Sequence, residues 1–197
     1  MSKFIIIASI CLLFIYKNAF SNLNQHRILK YLESFISLKS EFIQINNNGD
    51  VLSGNVIILR PGKIRVEYNE IPLLLISDGK KIATINKEIR SIAYFNLKDL
   101  PITLLLFNDL SEKVEFSKIK ELDNQIRVQL NEKDGNSKGF IEIIFESNPF
   151  LMKKWTIYNN QQKTEVLLNN LKLNTFDDSQ LFNIEKEDPQ RKFFGDN

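Results

Sequence analysis

Cysteine and histidine are almost absent from this sequence, which has 197 residues and contains one of each. A zinc site made of these residues needs about four ligands, and a disulfide needs a second cysteine. A Ser-His-Asp triad would have to use His26, which we expect on the surface of a helix. The sequence also lacks a Gly-x-Ser-x-Gly element and a complete phosphate-binding loop. These absences favour a binding protein without catalytic residues, metal or cofactor.

Glycine, proline and net charge are also low. Seven glycines and five prolines exclude a collagen-like or linker-rich chain. The formal net charge of +2 gives no electrostatic basis for binding nucleic acid. Hydrophobic residues make up 43% of the sequence and charged residues 25%, a balance typical of a folded globular protein.

The N-terminal segment has the pattern of a secretory signal peptide. A short basic start precedes an uncharged apolar run, Phe4–Tyr16. This run is shorter than the roughly 20 apolar residues of a membrane-spanning helix. Ala19 and Ser21 supply the small residues of a cleavage site, so we predict cleavage after Ser21, with an uncleaved anchor as the alternative. Cleavage would remove Cys11, and a cysteine-free exported domain over residues 22–197 fits a bacterial periplasm.

The mature chain begins with one predicted helix, for which Asn24 is the predicted N-cap. Its apolar residues recur at the spacing of a single helix face. They are Ile28, Leu29, Leu32, Phe35 and Ile36.

After this helix the pattern changes to short strands joined by tight turns such as Asp78-Gly79. Between Lys63 and Tyr68 the side chains alternate, with Ile64, Val66 and Tyr68 on one face and charged residues on the other. About ten or eleven strands are predicted, which is consistent with one antiparallel sheet. They cover Glu41–Ile45, Asn55–Leu59, Lys63–Tyr68, Leu73–Ser77, Lys81–Ile85, Ile89–Phe95, Gln125–Leu130, Phe140–Phe145, Leu151–Tyr158, Lys163–Leu168 and Leu171–Asn174.

Two segments interrupt the strands. Asp99–Asn108 is predicted to be a short apolar helix, capped by Asp99 and with Pro101 in its first turn. Its composition alone fits an ordinary core element better than any special role. Asp178–Phe182 is predicted to be a single helical turn, and the acidic residues Glu185–Asp188 after it are expected to form a solvated tail.

A longer pattern surrounds Arg60. Residues 54–68 contain a glycine, an apolar strand, Arg60-Pro61 and an apolar run with a second arginine that ends in an aromatic residue. The turn Ile76–Lys80 follows as apolar-Ser-Asp-Gly-Lys, with Phe42–Gln44 upstream and Leu100–Leu105 downstream. Together these segments resemble the LolA-type outer-membrane lipoprotein carriers over almost the whole mature chain.

This resemblance implies a mainly β fold with short helices, in which a single curved antiparallel sheet forms an incomplete barrel covered by helices. Residues 22–197 would form one carrier domain. Its cavity would bind the acyl chains of lipoproteins and carry them from the inner to the outer membrane. The implied partners are acylated lipoproteins, an ATP-driven extractor in the inner membrane and possibly an outer-membrane receptor. The protein would be a periplasmic monomer without enzymatic activity.

The resemblance also implies roles for particular residues. Ile64, Val66 and Tyr68 would line the lipid-binding cavity. A lid helix would contain Leu104, Leu105 and Phe107, and Arg60 would hydrogen-bond to the lid. Ile64 stands where the family often has an aromatic residue, and we expect this difference to change the shape of the cavity.

Other functions stay open at this point. The same fold could bind a different lipid or apolar ligand in the periplasm, without a lipoprotein partner. An adaptor that senses envelope stress by binding a regulatory protein is a more distant alternative, and an enzyme is more distant still.

Overall fold

A computed structural model of the protein describes residues 23–135 and 139–191, so the predicted signal peptide lies outside the described residues. The described chain is dominated by one antiparallel sheet of eleven strands. The strands are β1 (Ser37–Ile45), β2 (Val51–Leu59), β3 (Lys63–Tyr68), β4 (Leu73–Asp78), β5 (Ile82–Asn86), β6 (Ser91–Phe95), β7 (Val114–Leu122), β8 (Gln125–Glu132), β9 (Gly139–Ser147), β10 (Phe150–Asn159) and β11 (Gln162–Leu173).

The sheet does not close into a barrel, because β6 and β7 form its two free edges. Its order is β6-β5-β4-β3-β2-β1-β11-β10-β9-β8-β7, so every neighbouring pair except β1 and β11 is a hairpin. The pairing of β1 with β11 brings the first and the last strand together in the middle of the sheet. The predicted class, a mainly β protein with one open antiparallel sheet and short helices, is confirmed.

Two strand predictions were wrong. No strand was predicted over β7, because a bulge between Phe116 and Lys118 breaks its alternation of apolar and polar residues. The two short strands predicted after residue 162 are one continuous strand, β11.

The first helix, α1, covers residues 23–33 of the described chain. Its predicted apolar face is largely buried, with Ile28, Leu32 and Phe35 almost inaccessible. Ile36 is 60% exposed, because the helix ends before it and the side chain leaves that face. Asn24 lies inside the helix rather than at its N-cap, and its Nδ2 donates a hydrogen bond to Glu121 Oε2 on β7 at 3.1 Å.

The predicted helix over Asp99–Asn108 is instead a pair of short 3-10 helices, Leu97–Asp99 and Pro101–Leu105, followed by α2 (Leu110–Lys113). The break falls at Leu100, whose backbone is extended with φ −107° and ψ 127°. A residue before proline avoids the helical region, which separates the two 3-10 helices here. The cap of the first is Asn96, not Asp99.

Packing occupies both faces of the sheet, but unequally. The main core lies on the face of the sheet that is covered by α1 and by the 3-10 helices Leu97–Asp99 and Pro101–Leu105, and we call this the inner face. A smaller cluster lies on the outer face of β4 and β5, and it is covered by Ile184. The helical turn predicted near residue 180 is present as a 3-10 helix, Ser179–Phe182, capped by Asp178.

The acidic C-terminal segment is therefore not a solvated tail, as its charge had suggested. Ile184 and Phe182 are buried, and α3 (Ile184–Glu187) packs against the outer face of the sheet. Arg65 on β3 donates hydrogen bonds to the carbonyl oxygen of Leu181 at 3.1 Å and to Glu187 Oε1 at 2.9 Å. These contacts attach the C-terminal segment to the outer side of β3, whose other side belongs to the inner face of the sheet.

Candidate functional site

An apolar cavity of about 100 Å³ opens on the inner face of the sheet, under the 3-10 helix Pro101–Leu105. The structure places the three predicted cavity residues, Ile64, Val66 and Tyr68, together in its wall. Their position follows from the two-residue period of β3, on which alternate side chains point to one face. The other lining residues are Phe42, Gln44, Val56, Leu75, Ile102, Trp155, Ile157, Thr164 and Val166.

The strands that face β3 across the cavity were missed as a source of lining residues. Trp155 and Ile157 come from β10, and Val166 comes from β11. Their alternation is readable in the sequence, but their proximity to β3 depends on the pairing of β1 with β11. No local sequence signal specifies that long-range pairing.

Three polar side chains also line the cavity: Gln44, Tyr68 and Thr164. The Tyr68 hydroxyl donates a hydrogen bond to Gln44 Oε1 at 3.0 Å, and Thr164 lies in the same lining. Burial raises the pKa of Tyr68 above its ordinary value, while the bond to Gln44 acts in the opposite direction. Tyr68 is therefore neutral at physiological pH, and none of the described residues that line the cavity is charged.

Gly54 determines how closely the strands approach beside Tyr68. It pairs with Tyr68 across β2 and β3 and with Phe42 across β1 and β2. A β-carbon at Gly54 would lie 2.0 Å from the Glu67 carbonyl oxygen and 2.9 Å from the Phe42 ring. The absence of a side chain lets Phe42 and Tyr68 meet edge to face, with ring centroids 5.5 Å apart.

The central 3-10 helix, Pro101–Leu105, covers the inner face of the sheet, and we call it the lid. Leu104 and Leu105 are fully buried in the main core, and Phe107, just after the lid, is partly buried against it. The lid residue that lines the cavity is Ile102, which was not among the site residues predicted from the sequence. The segment is apolar on all sides, so its sequence does not indicate which residue faces the cavity.

Arg60 joins the lid to α1. Its Nε donates a hydrogen bond to the Leu105 carbonyl oxygen at 2.9 Å. Its Nη1 donates to the carbonyl oxygens of Leu32 and of Phe35, the latter at 3.0 Å. The guanidinium carbon also lies 4.0 Å from the centre of the Phe35 ring. One buried cation thus bridges the end of α1, where the helix dipole favours positive charge, and the end of the lid.

The burial of this guanidinium opposes its charge. Arg60 is only 7% exposed, and desolvation lowers its pKa to about 10, with a smaller opposing influence from Glu33. The side chain therefore stays protonated at neutral pH. Its Nη2 is buried and has no hydrogen-bond partner among the described residues. The lid contact is thus a charged group held by carbonyl oxygens at some cost in desolvation.

The turn after Arg60 is also attached to the lid. The Gly62 amide donates to the Leu106 carbonyl oxygen at 3.0 Å, and the Ser77 hydroxyl donates to the Gly62 carbonyl oxygen at 2.8 Å. Gly62 has a positive φ of 75°, and a β-carbon on it would lie 2.8 Å from the α-carbon of Gly79. The Arg-Pro and Ser-Asp-Gly motifs, separate in sequence, therefore form one packed unit beneath the lid.

Other kinds of site are not evident within residues 23–135 and 139–191. In these ranges no three histidine, cysteine or acidic side chains are grouped so that they could bind a metal ion. His26 is exposed on α1. Over the same part of the chain, no helix combines the length and the apolar character needed to cross a membrane.

A comparison with protein families gives a clear result. The family described as outer membrane lipoprotein carrier protein LolA matches residues 33–185. The chain belongs to the LolA family. This is a family of carriers rather than of enzymes, and the match covers all eleven strands as well as the lid and Arg60.

Solved structures support the LolA-like fold. A putative outer membrane lipoprotein-sorting protein domain from Vibrio parahaemolyticus has a TM-score of 0.53 and 9% identity, with 84% of this chain and 96% of that chain covered. A DUF1329 family protein from Desulfovibrio piger has a TM-score of 0.51 and 9% identity, with 80% and 93% covered. At such identities the likeness concerns the fold alone. No match was found among curated proteins.

Proposed function

We propose that this protein is a periplasmic carrier that binds the acyl chains of lipoproteins between its sheet and its lid, and shuttles them from the inner to the outer membrane. The observation that carries the proposal is the uncharged cavity between the strands β1–β4, β10 and β11 and the lid, together with the buried arginine that attaches the lid to the end of α1. Membership of the LolA family agrees with this role.

The energetics of lipid transfer explain why such a cavity is needed. An acyl chain of about 15 methylenes costs roughly 12 kcal/mol to expose to water, at about 0.8 kcal/mol per methylene. A carrier that moves between two membranes must therefore enclose the chain. The cavity of about 100 Å³ is smaller than the roughly 300 Å³ of ordinary ligand pockets, so the lid has to move to admit an acyl chain.

The partners follow from the proposed role. Acylated lipoproteins are the cargo, an ATP-driven extractor in the inner membrane supplies them, and an outer-membrane receptor would accept them. The protein acts as a monomer, catalyses no reaction and needs no cofactor.

Depletion of the protein in its own cell tests the proposal. Lipoproteins of the outer membrane should then accumulate in the inner membrane, which fractionation and immunoblotting would measure. An unchanged distribution would contradict the carrier role. Mass spectrometry of lipid that copurifies with the protein separates the alternative, since a free lipid without lipoprotein would indicate a binder of another lipid.

Processing is a separate expectation, based on the apolar run and on the small residues Ala19 and Ser21. We expect the mature protein to begin at Asn22 and to be recovered in the periplasmic fraction without detergent. N-terminal sequencing of the recovered protein checks this. Recovery of the full-length chain in the membrane pellet would support the uncleaved anchor instead.

A further inference from the structure

A second, larger depression of about 540 Å³ lies on the outer face of the sheet, over β7 to β10. We call it the outer groove. It is lined by Lys118, Lys120, Leu122, Gln125, Arg127, Gln129, Phe140, Glu142 and Tyr158. None of these residues lines the lipid cavity, so the groove is a distinct surface.

The register of the strands explains why cations gather here. On β8, Ile126, Val128 and Leu130 are buried in the main core, so the alternate residues face outward. Lys120 of β7 lies opposite Arg127, and Lys118 lies opposite Gln129. The bulge in β7 that follows Phe116 sets this alignment and directs both lysines to the outer face.

The groove carries a net positive charge. Its single lining acid, Glu142, lies 3.4 Å from Arg127 and is balanced by it. Lys118 and Lys120 make no ion pair with any residue of the described chain. Two ammonium groups at the edge of the sheet are thus left for an external anion.

Apolar side chains accompany these cations. Leu122, at the tip of the β7–β8 hairpin, is 74% exposed although it lines the groove. Leu23 is 64% exposed at the start of α1, which the bond between Asn24 and Glu121 holds beside this tip. Phe140 and Tyr158 stack at the other side of the groove, with ring centroids 4.4 Å apart.

We propose that the outer groove and the hairpin tip form a docking surface for an anionic phospholipid membrane. Lysines close to a membrane attract acidic headgroups, and exposed leucines beside them can enter the boundary between headgroups and acyl chains. An acidic segment without apolar residues would satisfy the lysines but leave Leu23 and Leu122 in water, whereas an anionic bilayer accommodates both kinds of side chain. The combination of exposed leucines with unpaired lysines therefore favours a membrane over an acidic protein.

Vesicle sedimentation tests this surface. The protein, purified after export, should bind vesicles of mixed phosphatidylglycerol and phosphatidylcholine and should be released by added salt. Each lysine near an anionic membrane contributes about five-fold to affinity. Lys118→Glu with Lys120→Glu should therefore weaken binding by at least about twenty-fold, and Leu122→Ser should weaken it about five-fold.

The matched control applies the same charge change elsewhere, as Lys80→Glu with Lys98→Glu, two exposed lysines far from the groove in sequence. This pair should bind vesicles nearly as well as the unchanged protein. Equal losses in both pairs would show a general charge effect and overturn the proposal. Binding to polyglutamate but not to vesicles would overturn it in favour of an acidic protein partner.

The docking surface does not depend on the proposed carrier function. Val66→Glu, which places a charge in the lipid cavity, should leave vesicle binding unchanged. Loss of vesicle binding in Val66→Glu would mean that the protein contacts lipid through its cavity, and would overturn the outer groove as the docking surface. Failure of acyl-chain binding with vesicle docking intact would contradict the carrier function alone. Circular dichroism of each variant would confirm that its fold is retained.

Discussion

Val66→Glu should reduce acyl-chain binding by about a hundred-fold or more. Val66 lies in the wall of the cavity on β3, between Val56 on β2 and Leu75 on β4. A carboxylate placed there would lose its hydration without gaining a cationic partner, because no charged side chain is among the described residues that line the cavity. Burying such a charge costs several kcal/mol unless it becomes protonated.

The measurement is a titration of the protein with a fluorescent fatty acid. Val51→Glu is the matched control, because it makes the same chemical change at a valine that is 60% exposed at the start of β2. The control should bind the probe as the unchanged protein does. Equal losses in both variants would show that this face of β3 does not bind lipid. Because protonation relieves the charge, binding by Val66→Glu should partly recover at acidic pH.

The sequence predicted β3, one strand of the cavity wall, well, and for a physical reason. On β3 one face packs against apolar neighbours, while the other meets water and the C-terminal segment, so its residues alternate strictly. The bounds of β3 are those predicted. The role of Arg60 in contacting the lid was inferred from the resemblance rather than from any local pattern. The structure adds the identity of its partners, the carbonyl oxygens of α1 and of Leu105.

The elements that were mispredicted depend on contacts distant in sequence. β7 is an edge strand whose bulge interrupts the alternation of apolar and polar residues, so no strand was predicted there. The C-terminal residues looked solvated because they are acidic, yet Ile184 is buried against β4 and β5 and Glu187 meets Arg65. In both segments a few apolar residues stand among many charged ones, so the local pattern does not indicate that they are packed. Only the order of the strands shows what these apolar residues contact.

In the proposed carrier, the bond from Arg60 to the lid favours the closed form, while an entering acyl chain favours the open form, so the two free energies can be compared. Of the guanidinium bonds, only the one from Nε to the Leu105 carbonyl oxygen reaches the lid, and such a charge-assisted bond contributes roughly 1.5–3 kcal/mol. The closed lid is therefore favoured by a few kcal/mol. In the proposed carrier, enclosing the acyl chain avoids an exposure cost of roughly 12 kcal/mol, which exceeds the stabilisation of the closed lid. We propose that re-formation of the bond from Arg60 to Leu105 then assists release of the cargo.

Arg60→Leu should therefore trap cargo on the protein. The substitution removes every guanidinium bond and leaves the carbonyl oxygens of Leu32, Phe35 and Leu105 without this donor. We expect the free energy of unfolding to fall by about 3 kcal/mol. The lid should open more readily, so an apolar fluorescent probe should bind more strongly. Loading with acylated cargo should persist, while delivery should slow because lid closure no longer assists release.

A two-stage assay separates these steps, with loading from donor vesicles followed by delivery to acceptor vesicles. Arg191→Leu is the control, because it removes an exposed arginine whose side chain pairs with Glu185 at 3.5 Å on the surface. Arg60→Lys keeps the charge but cannot reproduce the forked guanidinium that reaches both the end of α1 and the lid. Its delivery rate should therefore lie between the rates of Arg60→Leu and of the unchanged protein. Normal delivery by Arg60→Leu would exclude the lid role, because a merely structural arginine would lower stability without separating loading from delivery.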